Sequence, residues 1–113
     1  MNESLKRSWV YALRSGEYKQ VKGRLSYAGG YCALGVLEKL VSNRTGQPFT
    51  SQIGTLSTKT AKLAGLGSNP TVKVPLGMNL KDVVPGQYVT ITTLNDSAGA
   101  TFEQIAGIIE TQL

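Results

Sequence analysis

The sequence offers few side chains that could catalyse a reaction. It contains no histidine and one cysteine, whereas serine and cysteine hydrolases usually pair their nucleophile with a histidine base. Cys32 lies in the most apolar run of the chain, Gly29–Leu40, where a buried and inert thiol is expected. A zinc site would also lack its usual histidine and cysteine ligands. We therefore predict that the protein is not an enzyme and has no catalytic residue, metal site or cofactor.

Two weaker signals of chemistry also fail. Gly30 and Gly35 have the glycine spacing of a phosphate-binding P-loop, but the two residues after Gly35 are valine and leucine in place of lysine and serine or threonine. Among the carboxylates only Asp96 has the context of a site, and no second carboxylate nearby suggests an acid–base pair. An Asx turn with the residue before it explains Asp96 equally well.

The positive charge of the chain is concentrated in its first half. The net charge is +5; residues 1–44 carry eight basic and three acidic side chains, and residues 45–113 carry four of each. A concentrated positive field attracts the phosphates of nucleic acid, a nucleotide or a small phosphorylated ligand. A solvated basic face is the ordinary alternative. No apolar stretch approaches the length of a membrane span, so we expect no membrane partner. The N-terminus has no uninterrupted apolar region of the signal-peptide kind, so we expect a cytoplasmic protein.

The spacing of apolar residues predicts the helices that would position these groups. Trp9 and Leu37 fall on apolar faces and are predicted core residues. Gly35 has no side chain and should let another backbone come close. The first predicted helix is Glu3–Ser15, capped by Asn2 and stopped by Gly16, and the central helix lies in Gly29–Leu40, entered through positive φ at Gly29 and Gly30. A short helix is predicted in Ser57–Leu66, stopped by Gly67, and a last helix from Thr101 nearly to Leu113.

Alternation of apolar and polar residues predicts the strands. Over Tyr18–Ala28 the polar face would carry Gln20, Lys22 and Arg24, a row of amide, ammonium and guanidinium groups suited to an anion or to the edge of a base. An edge strand kept soluble by its charges fits as well. Further strands are predicted at Val72–Val74 and Gln87–Leu94, followed by a loop over Asn95–Gly99, and Thr50–Thr60 is left unassigned.

This order of elements predicts a small single α+β domain over residues 1–113. About three strands would form a mainly antiparallel sheet, packed with three to four helices.

Three blocks of the sequence occur in order over most of the chain: Ala12–Gln20, Tyr31–Leu37, and Leu94–Asp96 ahead of Phe102–Ala106. Their combination resembles a family of small bacteriophage and prophage proteins of no settled function. Members of that family often have a second cysteine where this chain has Ala33. The polar positions of the family's motifs map onto Arg14, Tyr18, Gln20, Asn95 and Asp96, which, with Lys22 and Arg24 from the predicted strand, are the candidate ligand-binding residues.

A small phage protein without catalytic machinery is expected to act by binding. In a compact site, Arg14, Lys22 and Arg24 would neutralise phosphates, Tyr18 would stack on a base, and the polar groups of Gln20, Asn95 and Asp96 would read its edge. This favours a counter-defence protein resembling phage sponges, which sequesters a cyclic nucleotide signal in the host cytoplasm as a homo-oligomer. Nucleic acid is one alternative partner. A protein is the other, either an inhibited host enzyme or neighbouring virion subunits.

Overall fold

The structure, a computed structural model, describes residues 1–49 and 54–113. Of the unassigned segment Thr50–Thr60, residues 50–53 therefore lie outside the described residues. Among the helices described, none has both the length and the apolar character needed to cross a membrane. The described residues form five helices and four short strands: α1 (Glu3–Ser15), β1 (Ser26–Tyr27), β2 (Gly30–Tyr31), α2 (Ala33–Thr45), α3 (Thr58–Ala64), β3 (Thr71–Lys73), β4 (Tyr88–Thr90), α4 (Ile91–Asp96) and α5 (Phe102–Gln112).

The helices pack around one hydrophobic core, in which α1 lies along α5 and also contacts α2. Trp9 of α1 is fully buried, and its indole N–H donates to the carbonyl oxygen of Ala33 at 2.8 Å. Leu37 from α2 and Ile105 and Ile109 from α5 are fully buried as well. The prediction that Trp9 and Leu37 belong to the core is confirmed.

The first helix has the predicted bounds because its end signals are local. The side chain of Asn2 accepts a hydrogen bond from the N–H of Leu5 at 2.9 Å, and Gly16 ends the helix in the left-handed conformation with φ 78°. The last helix begins with the predicted capping box, in which Thr101 and Gln104 bond each other's main chain. The short helix α3 ends at Gly65 and not at the predicted Gly67.

The central helix begins later than the predicted run, at Ala33, and continues to Thr45. The preceding glycines belong to a β-hairpin, because Gly30 pairs with Tyr27 and Gly29 takes a positive φ of 83° in the turn. Gly30 itself does not have a positive φ, so that part of the prediction is wrong. A side chain at Gly30 would instead clash, since a Cβ there would lie 2.4 Å from the Val21 side chain.

The chain before this hairpin crosses the first turn of α2 at very short range. A Cβ placed on Gly35 would lie 1.8 Å from the carbonyl oxygen of Leu25. The side chain of Leu25 is fully buried, and its carbonyl oxygen accepts a hydrogen bond from the N–H of Cys32 at 3.1 Å. The predicted approach of another backbone to Gly35 is therefore confirmed.

The predicted strand over Tyr18–Ala28 is wrong. Only β1 and a single parallel bridge between Gln20 and Tyr31 have strand pairing in this stretch. Gly23 has a positive φ of 81°, and the chain bends there so that Leu25 can pass beneath α2. As a result Tyr27, which alternation would place with Leu25, is 60% exposed.

The second half contains a further strand pair, in which β3 and β4 are antiparallel with Val72 opposite Val89. The predicted strand Gln87–Leu94 stops at Thr90, because the Thr90 hydroxyl accepts a hydrogen bond from the N–H of Thr93 at 3.1 Å and caps α4. The structure thus confirms the α+β class. It contradicts the three-stranded sheet and the three to four helices, since the described strands form two separate pairs and the described helices number five.

Two glycine substitutions test the close contact between α2 and the crossing chain. Gly35→Ala should lower the free energy of unfolding by about 3 kcal/mol, because main-chain atoms would have to move to admit the methyl group. Gly107→Ala is the matched control in α5, where the nearest atom to a new Cβ is the Arg14 side chain at 3.9 Å. It should raise stability by about 0.5–1 kcal/mol through helix propensity. Equal effects in urea unfolding would contradict this assignment.

Candidate functional site

Gln20, Asn95 and Asp96 come together at the start of α2. The amide oxygen of Asn95 accepts hydrogen bonds from the main-chain N–H of Ala33 at 3.1 Å and from the Gln20 amide at 2.9 Å. The Asn95 amide nitrogen donates to the carbonyl oxygen of Val21 and to the carboxylate of Asp96, both at 2.8 Å. An asparagine side chain has two donor hydrogens and two acceptor positions. All four are used within the chain.

This arrangement makes Asn95 a junction between distant parts of the fold. Asn95 is 1% exposed, and it joins α4 to the chain around Gln20 and to the first turn of α2. Gln20 extends the junction by donating to the carbonyl oxygen of Ala100 at 2.9 Å. The predicted loop over Asn95–Gly99, with either an Asx turn or a ligand contact, is wrong at its start, because Asn95 and Asp96 are the last residues of α4. Besides its bond to Asp96, Asn95 makes three long-range bonds, which no local pattern could reveal.

Arg14 is held by carboxylates of α5. Its guanidinium donates to both oxygens of Glu110, at 3.1 and 3.3 Å, and its Nε lies 3.4 Å from a Glu103 oxygen. These hydrogen bonds and charges, chiefly those of Glu110, raise the pKa of Arg14 above its ordinary value. The candidate cation is thus already paired with carboxylates at the surface between α1 and α5.

Tyr18 belongs to a row of three aromatic rings. It meets Tyr31 edge to face with 5.5 Å between ring centroids, and Tyr31 meets Phe49 in the same way at 5.7 Å. Partial burial raises the pKa of Tyr18, and the neighbouring carboxylate of Glu17 adds to the shift. Its ring is therefore held in place while part of it stays accessible.

Two surface cavities adjoin along α1 and share Arg7 and Tyr11. The first has a volume of about 430 Å³ and is also lined by Lys6 and Arg14; the second has about 550 Å³ and is also lined by Tyr18. Carboxylates occur at both: the first includes Glu3 and Glu110, and the second includes Glu17. We call this surface, defined by Lys6, Arg7, Tyr11, Arg14 and Tyr18, the α1 face.

Arg7 and Tyr11 were not among the candidate residues, although the sequence contains a signal for them. They follow each other at a spacing of four residues on the side of α1 away from its apolar stripe, and Arg14 continues the same side. Tyr11 is 73% exposed. An exposed aromatic on an otherwise charged helix face is the feature that could have directed attention there.

Lys22 and Arg24 lie apart from the two cavities, on the bend between Val21 and Leu25. Both are exposed, and the guanidinium carbon of Arg24 lies 5.3 Å from the centroid of the Tyr27 ring. The candidate residues therefore do not form one pocket. The structure places them at the α1 face, at the Asn95 junction and on this bend.

A buried carboxylate, Glu38, was also missed. It is 6% exposed and accepts hydrogen bonds from the N–H of Ser57 at 2.8 Å and the hydroxyl of Ser57 at 3.0 Å, and from the hydroxyl of Thr60. Glu38 thereby fastens the first turn of α3 to α2. Its position inside the apolar run was the sequence signal that a buried polar partner existed.

Cys32 serves the fold as well. Its sulfur accepts a hydrogen bond from the N–H of Gly35 at 3.4 Å at the start of α2. Cys32 is 2% exposed, and this burial raises the pKa of the thiol. A protonated, inaccessible thiol is a poor nucleophile.

These observations define an α+β domain with a basic, aromatic helix face and a buried polar junction. The chain belongs to the family described as "Domain of unknown function (DUF8296)", whose sequence model matches residues 1–113. No curated protein and no solved structure matches the chain. The bacteriophage origin stays a prediction from the sequence blocks.

Removing the Asn95 side chain should destabilise the protein. Asn95→Ala would remove the hydrogen-bond partner of the buried N–H of Ala33 and of the partly buried carbonyl oxygen of Val21, so we expect a loss of about 2–4 kcal/mol in the free energy of unfolding. Asn79→Ala, at an exposed position, should change it by less than about 0.5 kcal/mol. A folded Asn95→Ala protein of unchanged stability that loses a ligand would show that Asn95 is a binding residue.

The burial of Cys32 predicts its reactivity. In the native protein at pH 7–8 the thiol should react with iodoacetamide far more slowly than a free cysteine, because it is both inaccessible and protonated. In urea the rate should rise to that of an unstructured cysteine. Fast labelling of the folded protein, followed by mass spectrometry, would contradict an inert core thiol.

Proposed function

We propose that the protein binds a phosphate-bearing nucleotide at the α1 face without transforming it. In its specific form, the proposal is a phage-encoded counter-defence sponge that sequesters a cyclic nucleotide signal of the host. The observation that carries it is the sharing of Arg7 and Tyr11 by two adjoining cavities. A cation, Arg7, and an exposed aromatic residue, Tyr11, thus line both cavities.

The sizes of the cavities support a small ligand. Volumes of about 430 and 550 Å³ fall within the range of small-molecule sites, roughly 300–1,000 Å³. A cyclic dinucleotide has two planar bases on either side of a phosphate-containing ring. Its phosphates would lie against Arg7 with one base near Tyr11, and the other base would reach the second cavity beside Tyr18.

The charge available to such a ligand comes from Lys6 and Arg7. Within the described residues neither forms an ion pair, whereas Arg14 is engaged by Glu103 and Glu110. At this face, the phosphate contact expected of Arg14, as of Lys22 and Arg24, is therefore proposed for Arg7 instead. Arg14 would shape the wall of the first cavity, because its guanidinium is held in one orientation by two carboxylates.

Binding without chemistry is proposed because the lining groups suit recognition. Cations and tyrosine rings hold anions and bases, while the thiol of Cys32 lies in the core. A sponge must be present in the compartment of the signal that it sequesters. We therefore propose that the protein acts in the host cytoplasm, where the signal would accumulate. A homo-oligomer would multiply the number of sites in one particle.

A protein partner is the second candidate, and a surface in the second half of the chain favours it. Leu76 is 83% exposed and Tyr88 is 71% exposed, and both line a cavity of about 400 Å³. Exposed apolar side chains of this size are typical of protein contacts. A host-enzyme inhibitor or a virion component would use such a surface.

Calorimetric titration with a panel of cyclic dinucleotides tests the proposal. Arg7→Gln should weaken binding by about 1.5–3 kcal/mol, the typical contribution of a hydrogen bond to a charged group. Lys59→Gln removes the same charge at an exposed position of α3 and should leave the affinity unchanged. Because Arg7 is exposed and Lys6 only partly buried, the affinity should fall as the salt concentration rises, but less steeply than for a nucleic acid that contacts the protein through many phosphates.

Native mass spectrometry of protein from infected cells complements the titration by detecting subunit number and any retained nucleotide. If no cyclic nucleotide binds and none is retained, the sponge is excluded. A protein partner whose capture depends on Leu76 and Tyr88 would then support the second candidate.

A further inference from the structure

The chain between Val21 and Leu25 is fixed at both ends. The N–H of Val21 donates to the Tyr31 carbonyl oxygen at 3.0 Å, and the carbonyl oxygen of Val21 accepts from Asn95 at 2.8 Å. At the other end, the Leu25 carbonyl oxygen accepts from the N–H of Cys32 at 3.1 Å, and the Leu25 side chain is fully buried. The main chain of the three intervening residues is therefore anchored on both sides.

Those residues, Lys22, Gly23 and Arg24, form an exposed bend with unused donors. Gly23 has a positive φ of 81°, which allows the tight change of direction. Within residues 1–49 and 54–113, their main-chain N–H groups donate to no acceptor, and neither Lys22 nor Arg24 forms an ion pair. Free N–H groups beside two cations are features that bind phosphate oxygens.

Tyr27 adds a flat surface next to this bend. Its ring is 60% exposed and lies 5.3 Å from the Arg24 guanidinium carbon. Tyr27 is held by its strand pairing with Gly30, across a turn in which Ala28 and Gly29 both have positive φ. An arginine beside a tyrosine ring offers a stacking surface for a nucleobase, and such stacking tolerates any base.

We propose that the bend Lys22–Arg24 and Tyr27 form a second binding site, which takes a nucleoside phosphate unit. The phosphate lies against the bend, and the base stacks on the Arg24–Tyr27 pair. This site is separate from the α1 face, since it uses none of the side chains that line the two cavities. Lys19, also exposed, extends the positive charge along the chain.

The same chemistry occurs in a free nucleotide and in a single strand of nucleic acid. The open, exposed character of the site favours the strand, because successive phosphates can contact Lys22, Arg24 and Lys19 in turn. A duplex would keep its bases stacked on one another and would not use Tyr27.

Fluorescence anisotropy with labelled oligothymidylate of twelve nucleotides tests the site, with AMP as an unlabelled competitor. The double variant Lys22→Ala/Arg24→Ala should lose at least about ten-fold in affinity, and its plot of log K against log salt should be shallower by about 1.4. Tyr27→Ala should lose about 5- to 100-fold. The control Lys59→Ala/Lys62→Ala removes the same charge from exposed positions of α3 and should bind like the unchanged protein.

The two sources are distinguished by the competitor. If the protein binds oligothymidylate far more tightly than AMP and the Lys22→Ala/Arg24→Ala variant loses affinity, the ligand is a single strand. If the protein binds both probes with equal affinity and the variant loses affinity for both, the ligand is a free nucleotide. The site is overturned if the unchanged protein binds neither probe, if the control loses as much as the variant, or if the variant retains full affinity. Those results would leave the α1 proposal standing, because it is decided by cyclic dinucleotides and Arg7.

Discussion

The amide of Asn95 is the interaction on which the arrangement of the molecule most depends. Three of its four hydrogen bonds connect α4 with the Gln20–Val21 segment and with the first turn of α2, and the fourth joins it to Asp96 within α4. Buried in a medium of low polarity, such bonds are strong when all are made and costly when one is missing. Because Val21 is fixed in this way, the chain can continue across Gly35 with the Leu25 carbonyl almost in contact with the helix. The exposed bend at Lys22–Arg24 follows from these two anchors.

The sequence predicted elements well where their determinants are local. The cap of Asn2 and the stop at Gly16 define α1 within a few residues, and the capping box of Thr101 does the same for α5. The apolar runs also identified the core. Prediction failed for Tyr18–Ala28 and for Ile91–Asp96, since alternation and β-branching describe what a strand would need but not whether another strand is available to pair with it. At Thr90 a single hydroxyl cap was enough to begin a helix instead.

The candidate site was harder to predict than the fold because its side chains choose partners far away in sequence. Three of the four partners of Asn95 are 62 to 75 positions distant, and Arg14 pairs with Glu110 across 96 positions. A pattern in the sequence can mark such residues as polar and unusual, but it cannot say whether a protein group or a ligand satisfies them. In this chain protein groups satisfy the side chain of Asn95 completely and bind the guanidinium of Arg14 through two carboxylates.

That distinction changes which residues can recognise a ligand. A saturated buried amide would have to break an internal hydrogen bond for each new one, so a ligand gains little from it. A guanidinium paired with two exposed carboxylates likewise gives up existing attraction when a phosphate approaches, although this cost is small because exposed ion pairs are individually weak. Residues that have unused donors and a well-anchored main chain avoid both costs, and their main chain loses little conformational entropy when they bind a ligand. Within the described residues Lys6 and Arg7 on α1, and Lys22 and Arg24 on the anchored bend, meet this condition because none of them forms an ion pair. We therefore propose that these groups recognise phosphate, whereas the Asn95 junction maintains the fold.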